Sequence, residues 1–322
     1  MKLIKEMDFD TMLDYYRRLK FIYPEKEEII FSEREFIANT WGKITVSGDE
    51  LFHVIQNDND KYIASGCLLR DTFSGWIVEH GVANDIKAYI SMLKEECETL
   101  LNMHSFRTMR SWFQPTRRTV LKISMLNNSY EELRTTASFF IFKKNGSQFN
   151  IKCNYEVLDD NNQQELINVL NNSGRKLIVL SEDWDQKPSC NLHVEQLFAQ
   201  KGLKKTKKTF LLREGKELLG LLIINIASPG MNLTLLENRS ELIPLNDRGL
   251  LSSELIETAL SLVSAHSFET LTSIPLLIPP STKDIAKKFN NLHYYTDYLS
   301  VLWPRETVRM WLTNLKTKYN FV

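Results

Sequence analysis

Hydrophobic positions fall into two rhythms along this chain, and they alternate in blocks. Met12, Leu13, Tyr16 and Leu19 recur at helical spacing, which predicts a helix starting near Asp8–Asp10. "KLIKEM" before it reads as a short strand, and Ser32 with Glu35 in "SERE" fits a capping box opening a second helix. Phe52–Gln56 and Tyr62–Leu69 flank "QNDND" as a hairpin, and Trp76–Ala83 reads as a third strand. "IKAYISMLKEECETLLNMH" is amphipathic at the helical period, "FRTMRSWFQ" is a strand stopping at Pro115, "TRRTVLKISMLNN" is a helix, and "ASFFIFKK" closes the block as a strand.

The same order then returns. "FNIKCNYEVL" predicts a strand, "QQELINVLNN" a helix ended by Gly174, and "LIVL" an extra short strand or buried segment. "VEQLFAQ" is a helix ending at Gly202, and "KTFLLREGKELLGLLIINIA" is a hairpin turning at Glu214–Gly215. Strand "SELIPL", helix "SSELIETALSLVSAH", strand "TLTSIPLLIP", helix "TKDIAKKFNN" and strand "TDYLSVLW" complete it. Local matches support a duplication. "HSFRT" at His104 answers "HSFET" at His266, "LNN" at Leu126 answers "FNN" at Phe289, and "ASFFIF" from Ala137 answers "YLSVLW" from Tyr298. All three keep an offset near half the chain, far too long for a solenoid. Domains of 1–145 and 146–322 are therefore expected, divided at the polar, turn-rich "KKNGSQ". A meander followed by alternating elements predicts an α/β (α+β) class: two similar mixed-sheet domains with helices on both faces.

Composition narrows the possibilities. With 322 residues, 43% hydrophobic and 25% charged, the chain is globular and each half can bury its own core. Forty basic and 40 acidic residues cancel, which argues against a nucleic-acid or membrane-surface binder. "MKLIKEMDFD" holds no apolar signal region, and "LLGLLIINIA" is about half a membrane span. Cys67, Cys97, Cys153 and Cys190 are scattered, so no metal knuckle or redox pair is expected and a reducing cytoplasm fits.

Several local features invite chemistry. "KGLKKTKKTF" could meet a phosphorylated ligand, but lysines on an outer strand more simply discourage edge pairing. Arg107, Arg110, Arg117 and Arg118 surround Trp112 and Phe113, a pattern equally at home in single-strand nucleic-acid binding or a half-buried strand. "SPGMNLTLLENRSE" is a long excursion of the kind that carries specificity more often than core. His104 and His266 end corresponding helices, where a basic side chain suits the C-terminal dipole.

The element order resembles the GNAT (Gcn5-related N-acetyltransferase) fold, present twice across nearly the whole chain. The resemblance implies acyl-CoA gripped between the fourth strand and the following helix, with a loop of pattern R-x-x-G-x-G/A turning backbone N–H groups to the pyrophosphate. It implies a gap between two splayed strands for the pantetheine arm. The second copy keeps a remnant, "LIPLNDRGLLSSEL", which makes Arg248, Gly249, Leu250, Ser252 and Ser253 the candidate cofactor residues. In the first copy Asn84-Asp85 replaces the glycines, and Asp85 would repel a phosphate. The resemblance also implies a carboxylate on strand four as base, Glu79 or Glu241, and a tyrosine as proton donor, for which Tyr294 is the nearest substitute. The cofactor implied is acetyl-CoA or another acyl-CoA; no metal is implied. The partner would be a small-molecule amine or a protein. Two functions stay open: an N-acyltransferase using the second copy, or a non-catalytic protein of this fold binding a small ligand or partner protein.

Overall fold

The computed structural model describes residues 9–22, 24–44, 51–58, 61–116, 131–144, 149–186, 189–231, 236–245 and 251–319. The predicted strand "KLIKEM", the helix "TRRTVLKISMLNN" beyond Thr116, and the boundary at Asn145 lie outside them. The first half opens with helices α1 (Phe9–Arg18), α2 (Pro24–Ser32) and α3 (Arg34–Ile44). A helix does start within the predicted "SERE": α3 begins at Arg34, one residue later than a Ser32 cap would place it, and Ser32 itself ends α2. Strands β1 (Leu51–Asp58), β2 (Lys61–Arg70) and β3 (Gly75–Ala83) form an antiparallel meander. Helix α4 (Ile86–Asn102) then crosses over to β4 (Thr108–Phe113), which lies parallel to β3. β5 (Leu133–Lys143) closes the half.

The second half repeats this plan. β6 (Asn154–Val157) is followed by helices α5 (Gln163–Asn172), α6 (Lys176–Ser181) and α7 (Ser189–Ala199). "LIVL" is thus inside a buried helix and not a strand. β7 (Lys205–Glu214), β8 (Glu217–Ala227) and β9 (Ser240–Pro244) form the meander, and α8 (Ser253–His266) crosses over to the parallel β10 (Ser273–Ile278). A one-turn α9 (Lys283–Ala286), the long β11 (Leu292–Pro304) and a further helix, α10 (Arg305–Tyr319), end the described chain. Among the described residues only β3–β4 and β9–β10 pair in parallel, because only a helical crossover returns the chain in the same direction.

The halves do not keep separate sheets. One sheet of 11 strands runs β1-β2-β3-β4-β11-β5-β10-β9-β8-β7-β6. β4 pairs with β11 of the second half, and β10 pairs with β5 of the first. Each half therefore lends its last strand to the other. The cores follow the exchange: Phe140 and Phe142 of β5 pack among the second-half residues Leu260 and Ile274, while Trp303 and Trp311 pack among the first-half residues Trp76 and Leu100. The expectation of two independent sheets is corrected here. Strand alternation specifies which face is buried, but not which neighbour supplies the hydrogen bonds.

Candidate functional site

Both parallel pairs are short, and each parts on the side where its crossover helix begins. β9 and β10 pair only at Leu276↔Ser240 and Leu277↔Glu241, after which β9 runs on to Pro244 paired with β8 but not with β10. Beside this parting lies a groove of about 310 Å³ that crosses the sheet face between the halves. Its apolar wall is Leu242, Ile243, Leu277 and Ile278; its charged groups are Arg110, Arg175 and Glu241. Arg175 Nη1 donates to the Pro244 carbonyl oxygen at 2.5 Å, satisfying a β9 acceptor that β10 no longer reaches. Burial lowers the pKa of that guanidinium.

Glu241 does not stand ready as a free base. Its carboxylate accepts from Arg239 Nε at 2.6 Å and from Arg110 Nη1 at 3.1 Å. Burial works against its charge, but the two guanidiniums outweigh it and hold Glu241 below the usual carboxylate range. The network continues through both halves. Arg239 Nη2 donates to Asp71 at 3.0 Å, Lys205 and Lys207 reach Asp71 at 3.1 and 2.8 Å, and Lys207 reaches Glu182 at 2.7 Å. Arg110 closes the ring on Glu182 at 3.3 Å. All of these charges are buried or nearly so. Two lysines of "KGLKKTKKTF" are therefore not edge guards: Lys205 and Lys207 bind the second half to Asp71 of the first. Arg110 is likewise committed to this network, and Arg107 pairs with Asp185 at 2.8 and 2.6 Å. Arg117 and Arg118 lie outside the described residues.

The excursion "SPGMNLTLLENRSE" is core where it is described. Asn238 bonds both the N–H and the carbonyl of Ala227, at 2.9 and 2.8 Å, and Glu237 accepts from the Gly230 N–H at 3.0 Å. At Gly230, with φ near 97°, an added Cβ would meet the Ile37 backbone at 2.8 Å, so the loop seats directly against the first half.

The phosphate end of the expected site is partly described. Arg248, Gly249 and Leu250 lie outside the described residues. Ser252 is the N-cap of α8, its Oγ accepting from the Leu255 N–H at 3.2 Å, and Leu251 N donates to Thr282 Oγ1 at 3.2 Å. Ser253 Oγ donates to the Glu254 carboxylate at 3.1 Å, so an acid of the chain itself shares this helix start. In the first half Asp85 caps α4, accepting from Lys87 N and Ala88 N at 2.8 and 2.9 Å. Those are donors a pyrophosphate would need, and a carboxylate already holds them.

Tyr294 is not brought to the groove. It is exposed on β11, with Lys283 Nζ 3.7 Å from its ring centroid and Phe140 edge-on at 5.5 Å. Glu79 occupies on β3 the place Glu241 occupies on β9, but it is buried beside another acid, Glu96 of α4. His266 stacks on Phe210 and faces Lys208 Nζ at 3.1 Å. It ends α8, as the sequence suggested, and burial and Lys208 lower its pKa. Arg239, the centre of the network, was missed; only its place next to strand "SELIPL" could have flagged it.

No family model matches this chain, and no curated protein matches it. Among solved structures it is similar to a tandem GNAT protein from the clavulanic acid biosynthesis pathway (7% identity, 87% of this chain and 95% of that one, TM-score 0.40). It is also similar to a GCN5-related N-acetyltransferase from Sphaerobacter thermophilus (9%, 80% and 81%, TM-score 0.40). A third, a GCN5-related N-acetyltransferase from Anabaena variabilis, gives 9%, 90% and 70%, with a TM-score of 0.33. These values compare chain architecture, and no reaction, ligand or residue role passes from those proteins to this one. The strand pairings themselves make this a duplicated mixed-sheet fold, each half a meander followed by a helical crossover to a parallel strand. Among the described residues no helix is long and apolar enough to cross a membrane, and no group of three His, Cys, Asp or Glu could hold a metal.

Proposed function

We propose that the second half binds an acyl-CoA, with its acyl-pantetheine arm in the gap between β9 and β10, and that the protein is a GNAT-like N-acyltransferase acting on a small amine. The observation that carries this reading is the parting of β9 from β10 into the groove beside them. An extended amide-bearing arm suits such a gap, because β9 presents backbone groups there that no strand covers and Leu242, Ile243, Leu277 and Ile278 offer apolar contact. Acyl-CoA, when bound, supplies the activated thioester carbonyl. The chain's share is binding and alignment: Arg175 at the gap, Arg110 and Glu241 fixing the polar floor, and α8 directing its N-terminus toward the phosphate end. A neutral amine attacking a thioester needs little beyond position and somewhere for its proton to go.

The clamped state of Glu241 and the displacement of Tyr294 favour a second reading, in which the same groove binds acyl-CoA without turnover. One series separates them. In this reading Arg248 would give the pyrophosphate a charge-assisted hydrogen bond, worth about 1.5–3 kcal/mol, so Arg248→Ala is expected to weaken acyl-CoA binding by about ten- to a hundred-fold by calorimetry. Wild type that binds acetyl-CoA but releases no free thiol with any of a panel of primary amines supports the non-catalytic reading. Failure of wild type to bind any acyl-CoA overturns both.

A further inference from the structure

One positive charge in the groove beside β9 and β10 is unanswered. Arg110 and Glu241, which line it, hold each other at 3.1 Å, and Glu241 is shared further with Arg239. Arg175 lines the same groove, half-buried, and pairs with no carboxylate among the described residues. Its neighbour Lys176 pairs with Glu131 at 2.7 Å, whereas Arg175 has only the Pro244 carbonyl, which accepts from Nη1. Nε and Nη2 donate to nothing among the described residues, and neither is sealed from solvent. Burial with no compensating acid is what lowers the pKa of this guanidinium, and a cation in that state costs free energy in the empty groove.

The backbone holds Arg175 in place. Gly174, with φ near 72°, ends α5 and turns the chain into α6, and Arg175 N donates to the Leu170 carbonyl at 2.7 Å. With Nη1 held on Pro244, itself part of the groove wall, the guanidinium head is fixed at that wall. It stands on the side of the sheet away from α8. Ile178 of α6 packs with Ile243, whereas Leu242, which points the other way from β9, packs with Leu255 and Ile256 of α8. A pyrophosphate at the start of α8 would lie on that other side. Arg175 therefore faces the side left to the amine.

We infer that the amine this groove takes carries a carboxylate, as an amino acid does, and that Arg175 binds that carboxylate through Nε and Nη2. Those two N–H groups form a planar fork that matches the two carboxylate oxygens, and charge strengthens both bonds. One surplus positive charge balances one carboxylate and falls short of a phosphate dianion. The amine belongs to the proposed function of the groove, on which the inference rests; the carboxylate belongs to Arg175.

The probes are acids set against their own carboxamides, equal in shape: L-leucine with L-leucinamide, β-alanine with β-alaninamide, and 4-aminobenzoate with 4-aminobenzamide. They are added to the full chain at neutral pH without acyl-CoA. At least one acid is expected to raise the melting temperature and, by calorimetry, to bind about ten- to a hundred-fold more tightly than its amide. Arg175→Gln still offers Pro244 an N–H, so it should fold, as its melting temperature without ligand will show, and bind acid and amide alike. Arg175→Lys keeps the charge without the fork and should recover part of the preference. No preference for any acid in the wild type, or a preference that survives Arg175→Gln, overturns the inference. Acetyl-CoA is titrated separately. Wild type that binds it but prefers no acid loses the carboxylate alone; wild type that prefers an acid but binds no acyl-CoA keeps the Arg175 site and loses the acyltransferase reading.

Discussion

The β3–α4 and β9–α8 junctions are the same piece of architecture built twice, and their electrostatics are opposite. At the first, a strand carboxylate, Glu79, has a second buried acid, Glu96, beside it, and the helix start is occupied by Asp85. At the second, the corresponding Glu241 is held by two guanidiniums, and the helix start is capped by a neutral serine, Ser252. The backbone alone thus decides neither charge nor ligand. It provides a short parallel pair, a parting and a helix N-terminus; the side chains that face them decide what can enter.

The comparison can be broken most severely at Arg239. Its guanidinium serves Glu241, Asp71 and the Leu236 carbonyl, all buried. Arg239→Met would leave two carboxylates short of charge, and urea unfolding should show a loss of about 3–5 kcal/mol. A loss under about 1 kcal/mol would mean that the network relaxes around a vacancy, and that the contrast between the junctions is shallower than the geometry implies.

Next in size is an acid of the second half that the network does not neutralise. Burial raises the Glu237 pKa from 4.5 to about 7, against hydrogen bonds from the Gly230 and Glu237 N–H groups and the charges of Lys26 and Lys205. A folded-state pKa above the unfolded one favours folding only while the group is protonated. Stability should therefore fall as pH rises from about 4.5 through 7, by about 3 kcal/mol, and level off above. Glu237→Gln should flatten that part of the profile, measured by denaturant unfolding at a series of pH values.

The smallest effects sit at the caps themselves. Asp85→Ala and Ser252→Ala each remove a side-chain acceptor from first-turn N–H groups, and each should cost about 1 kcal/mol, read as a lowered melting temperature. Asp85→Ser should recover most of the loss, since serine caps as well as aspartate does. If it recovers none, the charge of Asp85 and not its hydrogen bonds is what α4 requires.

Much of this was legible in the residues. "QQELINVLNN" and "IKAYISMLKEECETLLNMH" announce helices by period, and α5 and α4 lie within those runs. The turn at Glu214–Gly215 also stands, with Gly215 at φ near 59°. Helix α10 went unread although Val308, Trp311, Leu312 and Leu315 follow the helical period just after Pro304; it lies past the last repeated motif. The lysines of β7 and Arg239 were misread or unread for a different reason. A charged run in sequence looks solvated until the partners that neutralise it, here Asp71 far upstream, are known.

The sequence by itself determined the duplication, most of the strands and long helices and the two crossovers, because periodicity and local hydrogen-bonding chemistry act over a few residues at a time. Tertiary structure alone decided that β5 and β11 change places, that one sheet spans both halves, and that Glu241 and Glu96 meet such different company. Strand neighbours and buried charge partners are long-range choices, set by which pairing buries the most apolar surface and leaves the fewest charges unmatched. Many chain-distant residues settle those sums together, and no short stretch of this sequence contains them.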